Sequence, residues 1–128
     1  MTGAELELLA VLVFQEARNQ PFIGQVAVAE VVLNRVRLPN FPKTIRRVIK
    51  QPYQFSGVGA KGVVQTKAQA MRLHPEAWGI AYAAATFARA SNITNGATHF
   101  HATYVNPHWS NGRYKTKRIG THKFYKLI

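Results

Sequence analysis

Two residue types that often carry chemistry are missing from this sequence, which has no cysteine and no aspartate. Without cysteine the chain can form neither disulfides nor thiolate metal sites, so packing must stabilise the fold. Acidic residues are scarce as well, because the 128-residue chain has only five, all of them glutamate. A mechanism that needs a carboxylate therefore has to use one of Glu5, Glu7, Glu16, Glu30 and Glu76.

Long apolar runs are also missing. No segment reaches the roughly 18 consecutive apolar residues of a transmembrane helix. Glu5 and Glu7 stand where a signal peptide would carry positive charge, so we predict neither a membrane span nor a signal peptide. A length of 128 residues with 47% hydrophobic residues predicts a single domain, residues 1–128, that is large enough to bury a core.

Positive charge is in excess, since 17 lysines and arginines against five glutamates give a net charge of +12. A field of this sign attracts polyanions such as nucleic acid, anionic lipid head groups or an anionic cell envelope. The charge alone favours nucleic acid. However, the aromatic residues are interleaved with the basic ones only in part, and no known nucleic-acid motif is present. We therefore rank nucleic-acid binding last.

The hydrophobic pattern predicts helices in the first ninety residues. The first begins at Thr2, which has capping-box spacing to Glu5, and ends near Arg18. A second helix covers residues 23–37 and forms an antiparallel pair with the first. Three more helices are predicted over residues 45–50 (capped by Thr44), 66–73 and 74–90. We expect the last to be central, with these residues buried: Trp78, Ile80, Ala81, Ala84, Phe87 and Ala88.

The C-terminal third has a different pattern. Residues 97–102 and 121–125 alternate between apolar and polar side chains, which predicts two short strands. Residues 104–112 between them form a loop rich in hydrogen-bonding and stacking groups. Helices followed by a small, late sheet indicate the α+β class, mostly helical.

Glu16 has the most unusual setting of the five carboxylates. Counting back by helical steps, it shares a face with Val13, Leu12 and Leu9, all of them apolar. Partial desolvation and the negative end of the helix dipole both disfavour the charged form, so we expect a raised pKa. A general acid that works near neutral pH needs such a pKa. The alternative is an ion pair of Glu16 with Arg18 at the helix end.

The other four glutamates are given structural roles. Glu5 and Glu7 lie in the first turns of their helix, where they complement its dipole. Glu76 opens the last helix, and His74 just before it is expected to cap with it. Glu30 is offset from Glu16 by roughly 7 Å along the predicted helix pair. A surface pairing of Glu30 with a nearby arginine is therefore favoured over a facing pair of carboxylates.

Four of the five histidines lie between residues 99 and 122. His99 and His101 are two residues apart, so they point to the same face of a strand. With His122 they could form a three-histidine zinc site, as in an amidase or a metallopeptidase. Their spacing matches no compact ligand motif. We therefore predict no metal and expect these histidines to hydrogen-bond a polar ligand or to brace an active site.

Aromatic side chains beside amides predict a sugar-binding groove, because rings stack on pyranose faces while amides bond hydroxyl and acetamido groups. Two segments have this composition. One is Tyr53-Gln54-Phe55, and the other is the loop that contains Tyr104, Asn106 and Trp109. A single-stranded nucleic-acid platform would use the same residue types, but it would leave Glu16 without a role.

Taken in order, several segments resemble the SleB-type cell-wall hydrolases, which are the spore cortex-lytic enzymes and related phage and bacterial peptidoglycan hydrolases. Each segment is short, but together they span nearly the whole chain in the family's order. They are residues 9–18, 24–29, 32–36, 51–55 and 96–100, then Asn106-Pro107-x-Trp109 and Ile119-Gly120-x-His122-x-Phe124-Tyr125. The chain departs from the family at Asn19-Gln20, where Gly-Glu or similar is usual, and at Glu30, where a small residue is common.

The resemblance implies a lysozyme-like catalytic domain that cleaves the glycan strand of peptidoglycan as a lytic transglycosylase, without a cofactor. Glu16 falls on the family's catalytic glutamate. We expect the following residues to bind the substrate: Tyr53, Gln54, Phe55, His99, His101, Tyr104, Asn106, His122 and Tyr125.

Two other cell-wall activities stay open at this point. One is a muramidase with two carboxylates, Glu16 and Glu30. The other is a zinc-dependent N-acetylmuramoyl-alanine amidase built on the three histidines. Whichever of the three activities applies, we expect a monomer whose basic surface is attracted to an anionic cell envelope. A catalytic domain without a signal peptide resembles a phage endolysin, which stays in the host cytoplasm until lysis.

Overall fold

A computed structural model of the protein describes residues 1–51 and 63–127. In these parts of the chain no helix has the length and apolar character needed to span a bilayer. A short 3-10 turn, Gly112–Tyr114, precedes the second strand. The α+β, mostly helical class is confirmed by the described elements, which are α1 (Gly3–Ala17), α2 (Phe22–Val36), α3 (Ile45–Ile49), α4 (Val63–Leu73), α5 (Pro75–Ala88), β1 (His99–Ala102), β2 (Lys115–Ile119) and β3 (His122–Tyr125).

Helix α1 is the centre of the core. Its predicted capping box is confirmed, because the Glu5 amide donates to Thr2 Oγ1 (3.1 Å) and the Thr2 amide donates to Glu5 Oε1 (3.0 Å). Every residue from Leu8 to Phe14 is buried. A helix that is apolar on all sides needs neighbours on all sides, and α2, α3, α4 and α5 all pack against it.

Helix α5 was expected to be central, and this prediction was wrong in part. Its small residues face α1 and α2, as do Trp78 and Ala88, which are buried as predicted. Ile80 and Phe87 instead lie on the outer face, 45% and 56% exposed. The alanine face lets α5 approach its neighbours closely and leaves the larger apolar side chains outside. His74 precedes α5 but makes no capping hydrogen bond with its side chain; its ring lies against Phe14, with the ring centroids 6.0 Å apart.

A row of polar side chains on α2 anchors the segment that leads into β1. Glu30 is only 2% exposed. Its carboxylate accepts hydrogen bonds from Ser91 Oγ (2.5 Å), the Ile93 amide (2.7 Å), and the amide and hydroxyl of Thr94 (2.9 and 2.8 Å). The predicted surface pairing of Glu30 with an arginine was therefore wrong. This carboxylate is buried among neutral donors, as a buried charge must be if it lacks an ion pair.

Two further residues of α2 continue this anchoring. Asn34 Nδ2 donates to the Ala97 carbonyl (2.9 Å), and Arg35 Nε donates to the Thr98 carbonyl (2.6 Å). Arg35 is buried, and this burial lowers its pKa to about 10. The last residues before β1 are thus held by side chains from a helix more than sixty positions earlier.

The three strands form an antiparallel sheet in the order β1-β3-β2. The predicted strands at residues 97–102 and 121–125 correspond to β1 and β3, whereas β2 was missed. Strand β2 is an edge strand with mostly exposed cationic side chains and a bulge between Lys115 and Lys117. It shows no apolar alternation, because neither of its faces is fully buried.

The register sorts the side chains of β1 and β3 onto two faces. Phe100 pairs with the fully buried Phe124 and faces the core. His99 pairs with Tyr125, and both lie on the opposite face. There Trp109 packs edge-on against Tyr125 at a centroid distance of 5.4 Å. The sheet therefore has one face on the helical core and one face under the loop that follows β1.

Removing the Glu30 carboxylate should destabilise the folded protein. Replacing Glu30 by alanine removes the acceptor of four hydrogen bonds, of which the Ser91 hydroxyl has a second acceptor in the Ala88 carbonyl (3.4 Å). We therefore expect the free energy of unfolding to fall by about 3 kcal/mol or more. Glu30→Gln, which keeps one oxygen, should cost less. Urea denaturation measures both. The matched control Glu76→Gln, at an exposed position, should stay within about 0.5 kcal/mol of the wild type. A loss below about 1 kcal/mol for Glu30→Ala would contradict the anchoring role.

Candidate active site

An open cleft of about 560 Å³ lies where the C-terminal end of α1 meets one end of the sheet. Glu16, in the last turn of α1, is partly buried on its wall. The apolar residues that share its helix face, Val13, Leu12 and Leu9, are buried as predicted. The residues that line the cleft are Gln15, Glu16, Asn19, Gln20, Phe100, His101, Ala102, Tyr104, Val105, Thr121 and His122.

The structure brings some of the predicted site residues together and places others elsewhere. His101, Tyr104 and His122 line the cleft with Glu16. Of the other predicted residues, His99, Asn106 and Tyr125 lie outside its lining, while Tyr53, Gln54 and Phe55 fall outside the described residues.

Glu16 is the only carboxylate side chain on the described walls of the cleft. Each of the other four glutamates has a place elsewhere. Glu5 closes the capping box, and Glu7 pairs with Lys67 at 2.6 Å. Glu30 is buried against the segment before β1, and Glu76 lies exposed in the first turn of α5.

His101 joins the cleft to the covered face of the sheet. Its Nδ1 bonds the Ala102 carbonyl (2.7 Å), and because a carbonyl only accepts, Nδ1 carries a proton. In the neutral ring, Nε2 then accepts from the Tyr125 hydroxyl (2.8 Å). The two rings are stacked with centroids 5.2 Å apart. Tyr125 therefore fixes the orientation of a cleft histidine without lining the cleft itself.

The three histidines do not assemble as a metal site would require. His99 and His101 share one face of β1, as predicted, whereas His122 pairs with Ala102 and points to the other face. There its ring lies against Phe100 at a centroid distance of 5.1 Å. Among residues 1–51 and 63–127 no three side chains of the metal-ligating types come close enough to hold an ion.

His122 and His99 are both in surroundings that disfavour a positive charge. Burial, and then the neighbouring His101, lower the pKa of His122. Burial, and then the Arg35 guanidinium, lower the pKa of His99 to about 4. His99 is packed between Trp109 and Phe41, with ring centroids at 5.0 and 6.4 Å. Both rings are therefore neutral at pH 7.

A hydrogen-bonded clamp that the sequence did not reveal joins the two sides of the cleft. Gln20 Nε2 donates to Thr121 Oγ1 (2.7 Å), and the Thr121 amide donates back to Gln20 Oε1 (2.9 Å). The clamp connects the α1–α2 turn to the β2–β3 turn. Gly120 makes this approach possible, since its φ is +57° and a Cβ there would lie 2.2 Å from Gln20 Oε1. The signals in the sequence were only a Gln-Pro turn and an isolated Gly-Thr pair.

The profile described as Cell Wall Hydrolase matches residues 19–125. The chain belongs to the Cell Wall Hydrolase family. It is 34% identical over 125 residues to a spore cortex-lytic enzyme of Halalkalibacterium halodurans, covering 94% of this chain and 34% of the relative. A spore cortex-lytic enzyme of Bacillus subtilis is 33% identical over 125 residues, covering 94% of this chain and 37% of the relative. The chain thus spans about a third of the length of these curated relatives.

Solved structures of family members have the same fold. The catalytic domain of the germination-specific lytic transglycosylase SleB from Bacillus anthracis is 30% identical with a TM-score of 0.78, covering 98% of this chain and 97% of that one. The catalytic domain of the Bacillus cereus SleB protein is 32% identical with a TM-score of 0.80, covering 98% of this chain and 92% of that one. These similarities confirm the SleB-type resemblance and the lysozyme-like, mostly helical fold class. Glu16 lies just ahead of the residues that the family profile matches.

A side chain at position 120 should disturb the clamp of this Cell Wall Hydrolase domain. Gly120→Ala places a Cβ against Gln20 and strains a left-handed backbone, so we expect a loss of about 1–3 kcal/mol in the free energy of unfolding. The displaced turn carries Thr121, which lines the cleft. Gly112→Ala is the matched control, because a Cβ there meets nothing within 4 Å. Equal stability of the two variants in urea would contradict the clamp.

Acid should destabilise the domain through His99. The unfolded residue titrates near 6.5 and the folded one near 4, so between these pH values the unfolded chain binds more protons. The free energy of unfolding should therefore fall as the pH drops from about 6.5 to about 4. We expect His99 to contribute about 1–2 kcal/mol of this fall, after allowance for solvent screening.

The experiment compares urea denaturation at both pH values in the wild type and in His99→Gln. The variant should show a smaller difference between the two pH values. His108→Gln, at an exposed histidine, should keep the wild-type difference. If His99→Gln also keeps the wild-type difference in stability between the two pH values, the acid sensitivity comes from another group.

Proposed function

We propose that this chain is a lytic transglycosylase that cleaves the glycan strand of peptidoglycan between N-acetylmuramic acid and N-acetylglucosamine, with Glu16 as its single catalytic carboxylate. Membership of the Cell Wall Hydrolase family supports the substrate class. The name of the B. anthracis structure, a lytic transglycosylase, supports the reaction type.

One observation carries the mechanism: the described cleft walls hold one carboxylate, and the other four glutamates lie elsewhere. Glycosidases that hydrolyse their substrate commonly need two carboxylates across the scissile bond, one as the acid and one as the base or nucleophile. A lytic transglycosylase can use one, because the attacking hydroxyl belongs to the substrate.

In the first step, protonated Glu16 donates its proton to the glycosidic oxygen, and the bond from this oxygen to C1 of the muramoyl residue breaks. In the second step, the Glu16 carboxylate takes the proton of the muramoyl C6 hydroxyl while the C6 oxygen bonds to C1. The products are a 1,6-anhydromuramoyl end and a free hydroxyl on N-acetylglucosamine. Glu16 is protonated again, and no water is consumed.

The position of Glu16 suits this double role. It follows the fully buried turn of α1 that contains Val13, and its own side chain is partly buried. We expect its pKa to be raised for this reason. General acid–base catalysis of this kind contributes on the order of 10²–10⁴ in rate.

The other cleft residues suit a polar sugar chain. Tyr104 is 85% exposed and offers a free ring face for stacking on a pyranose. Asn19 provides an amide for acetamido or hydroxyl groups, and His101, oriented by Tyr125, provides a ring edge. His99 contacts Trp109, which packs against His101. The predicted roles of Asn106, Tyr53, Gln54 and Phe55 stay predictions.

The two alternative cell-wall activities receive less support. A two-carboxylate muramidase would need Glu30 in the cleft, but this residue is buried against Ile93 and Thr94. A zinc amidase would need the three histidines on one face, and His122 points away from His99 and His101.

The biological setting rests on the sequence. The relatives are spore cortex-lytic enzymes, so the endolysin role, the location in the host cytoplasm before lysis and the monomeric state stay predictions. Attraction of the basic surface to an anionic envelope is proposed on the net charge of +12.

The test is mass spectrometry of the soluble products of purified peptidoglycan, for the wild type and Glu16→Gln. We expect 1,6-anhydromuramoyl ends from the wild type and a loss of at least 10²-fold with Glu16→Gln, because the acid is gone. Glu76→Gln is the matched control and should keep full activity.

The other outcomes point to different chemistry. Products heavier by one water would indicate hydrolysis and contradict the transglycosylase mechanism. Released peptides with intact glycan strands would indicate an amidase. Unchanged activity of Glu16→Gln would remove Glu16 from catalysis.

A further inference from the structure

Two cations stand directly opposite each other on an edge strand of the sheet, β2, and its central strand, β3. Arg118 on β2 pairs with Lys123 on β3, so the two side chains project from the same face. Arg118 is exposed and Lys123 is partly exposed. Like charges in directly opposed positions destabilise a strand pair. The fold therefore keeps a cation pair at a place where an uncharged or oppositely charged pair would be more stable.

The part of the protein that the structure describes supplies no counter-charge to this pair. In the described part of the chain, neither Arg118 nor Lys123 contacts a carboxylate. The Arg118 side chain donates from Nε to the Gly120 carbonyl at 3.5 Å. The sequence has no acidic residue after Glu76. An anion that relieves the repulsion between the two cations must therefore come from outside this part of the protein.

The pair lies beside the catalytic cleft. Lys123 is opposite Arg118 on one side and opposite His101 on the other, which places the three residues in one row across the sheet. His101 lines the cleft. Neighbouring strands are about 4.8 Å apart, so the backbones of Lys123 and Arg118 are about 5 and 10 Å from that of His101. Branches of a polymer that leaves the cleft along this row would reach both cations.

We propose that Arg118 and Lys123 form a subsite for the carboxylates of the peptides attached to the glycan strand. This proposal rests on the proposed function, because it takes peptidoglycan as the polymer in the cleft. The neutral sugar rings give cations little to bind, whereas each attached peptide carries carboxylates within reach of its muramoyl residue. A guanidinium binds a carboxylate through two parallel hydrogen bonds, and the lysine adds a second charge.

The experiment measures binding in a Glu16→Gln background, so that the strands are not cleaved. The ligands are soluble peptidoglycan strands freed of phosphate-containing polymers, and the same strands with their peptide carboxylates converted to amides. Arg118→Gln with Lys123→Gln should weaken binding of the native strands about three- to tenfold. Binding of the amidated strands should not change, and the salt dependence of native binding should decrease.

The matched control is Arg46→Gln with Arg47→Gln. Both arginines are exposed on α3, and Arg46 acts on Glu5 at the end of α1 opposite to Glu16. This variant removes the same charge from a remote surface and should bind native strands as the parent does. Urea denaturation of all variants checks that each is folded.

Several outcomes would overturn the proposal. Equal losses in both double variants would show that net charge, and not this pair, attracts the wall. Equal losses on native and amidated strands would exclude peptide carboxylates as the ligand. Unchanged affinity with increased aggregation would show that the cations only protect an edge strand. Loss of affinity only for walls that keep their phosphate polymers would assign the pair to phosphate.

Failure of the subsite and failure of the proposed function give different results. If the wild type released no anhydro products, the transglycosylase mechanism would be contradicted. A loss of affinity of the Arg118/Lys123 double variant for native strands alone would still support the subsite. If anhydro products formed and the Arg118/Lys123 double variant bound native strands normally, only the subsite would be contradicted.

Discussion

The buried carboxylate of Glu30 is the interaction on which the candidate site depends most. It stands on α2 and satisfies donors from Ser91, Ile93 and Thr94, which are more than sixty residues later in the chain. Asn34 and Arg35 continue the same contact towards β1. A negative charge with few exposed atoms is tolerated only while these donors are in place. The helical core thereby fixes where β1 begins, and β1 carries His101 into the cleft.

Acidic residues are scarce in this sequence, and each of the five has a distinct place in the fold. One glutamate holds the fold from inside, one closes the capping box of α1, one pairs with Lys67 on α4 and one opens α5. Glu16 alone lines the described cleft. A reaction in which the substrate supplies its own nucleophile needs no second acid. Under the proposed function, the excess of cations would attract the protein to the anionic wall, and the pair formed by Arg118 and Lys123 would bring that attraction to the edge of the cleft.

The predictions from sequence succeeded where the signal was local. Helices α1 to α5 followed from apolar periodicity and caps, and the position of Glu16 followed from the helix that carries it. The predictions failed where partners are distant. Ile80 and Phe87 were expected inside because they are apolar, but the alanine face of α5 was the better fit to α1 and α2. Strand β2 was missed because an edge strand with solvent on both sides needs no alternation.

The sequence by itself determined the fold class, the family and the one glutamate set against an apolar helix face. Only the tertiary structure decided that Glu30 is an internal anchor, that Gln20 clamps Thr121 across the cleft, and that His122 points away from His99 and His101. The reason is physical. Helix formation and capping depend on neighbours within four residues, whereas these three decisions depend on which atoms a folded chain brings within hydrogen-bonding distance or onto one face of a sheet.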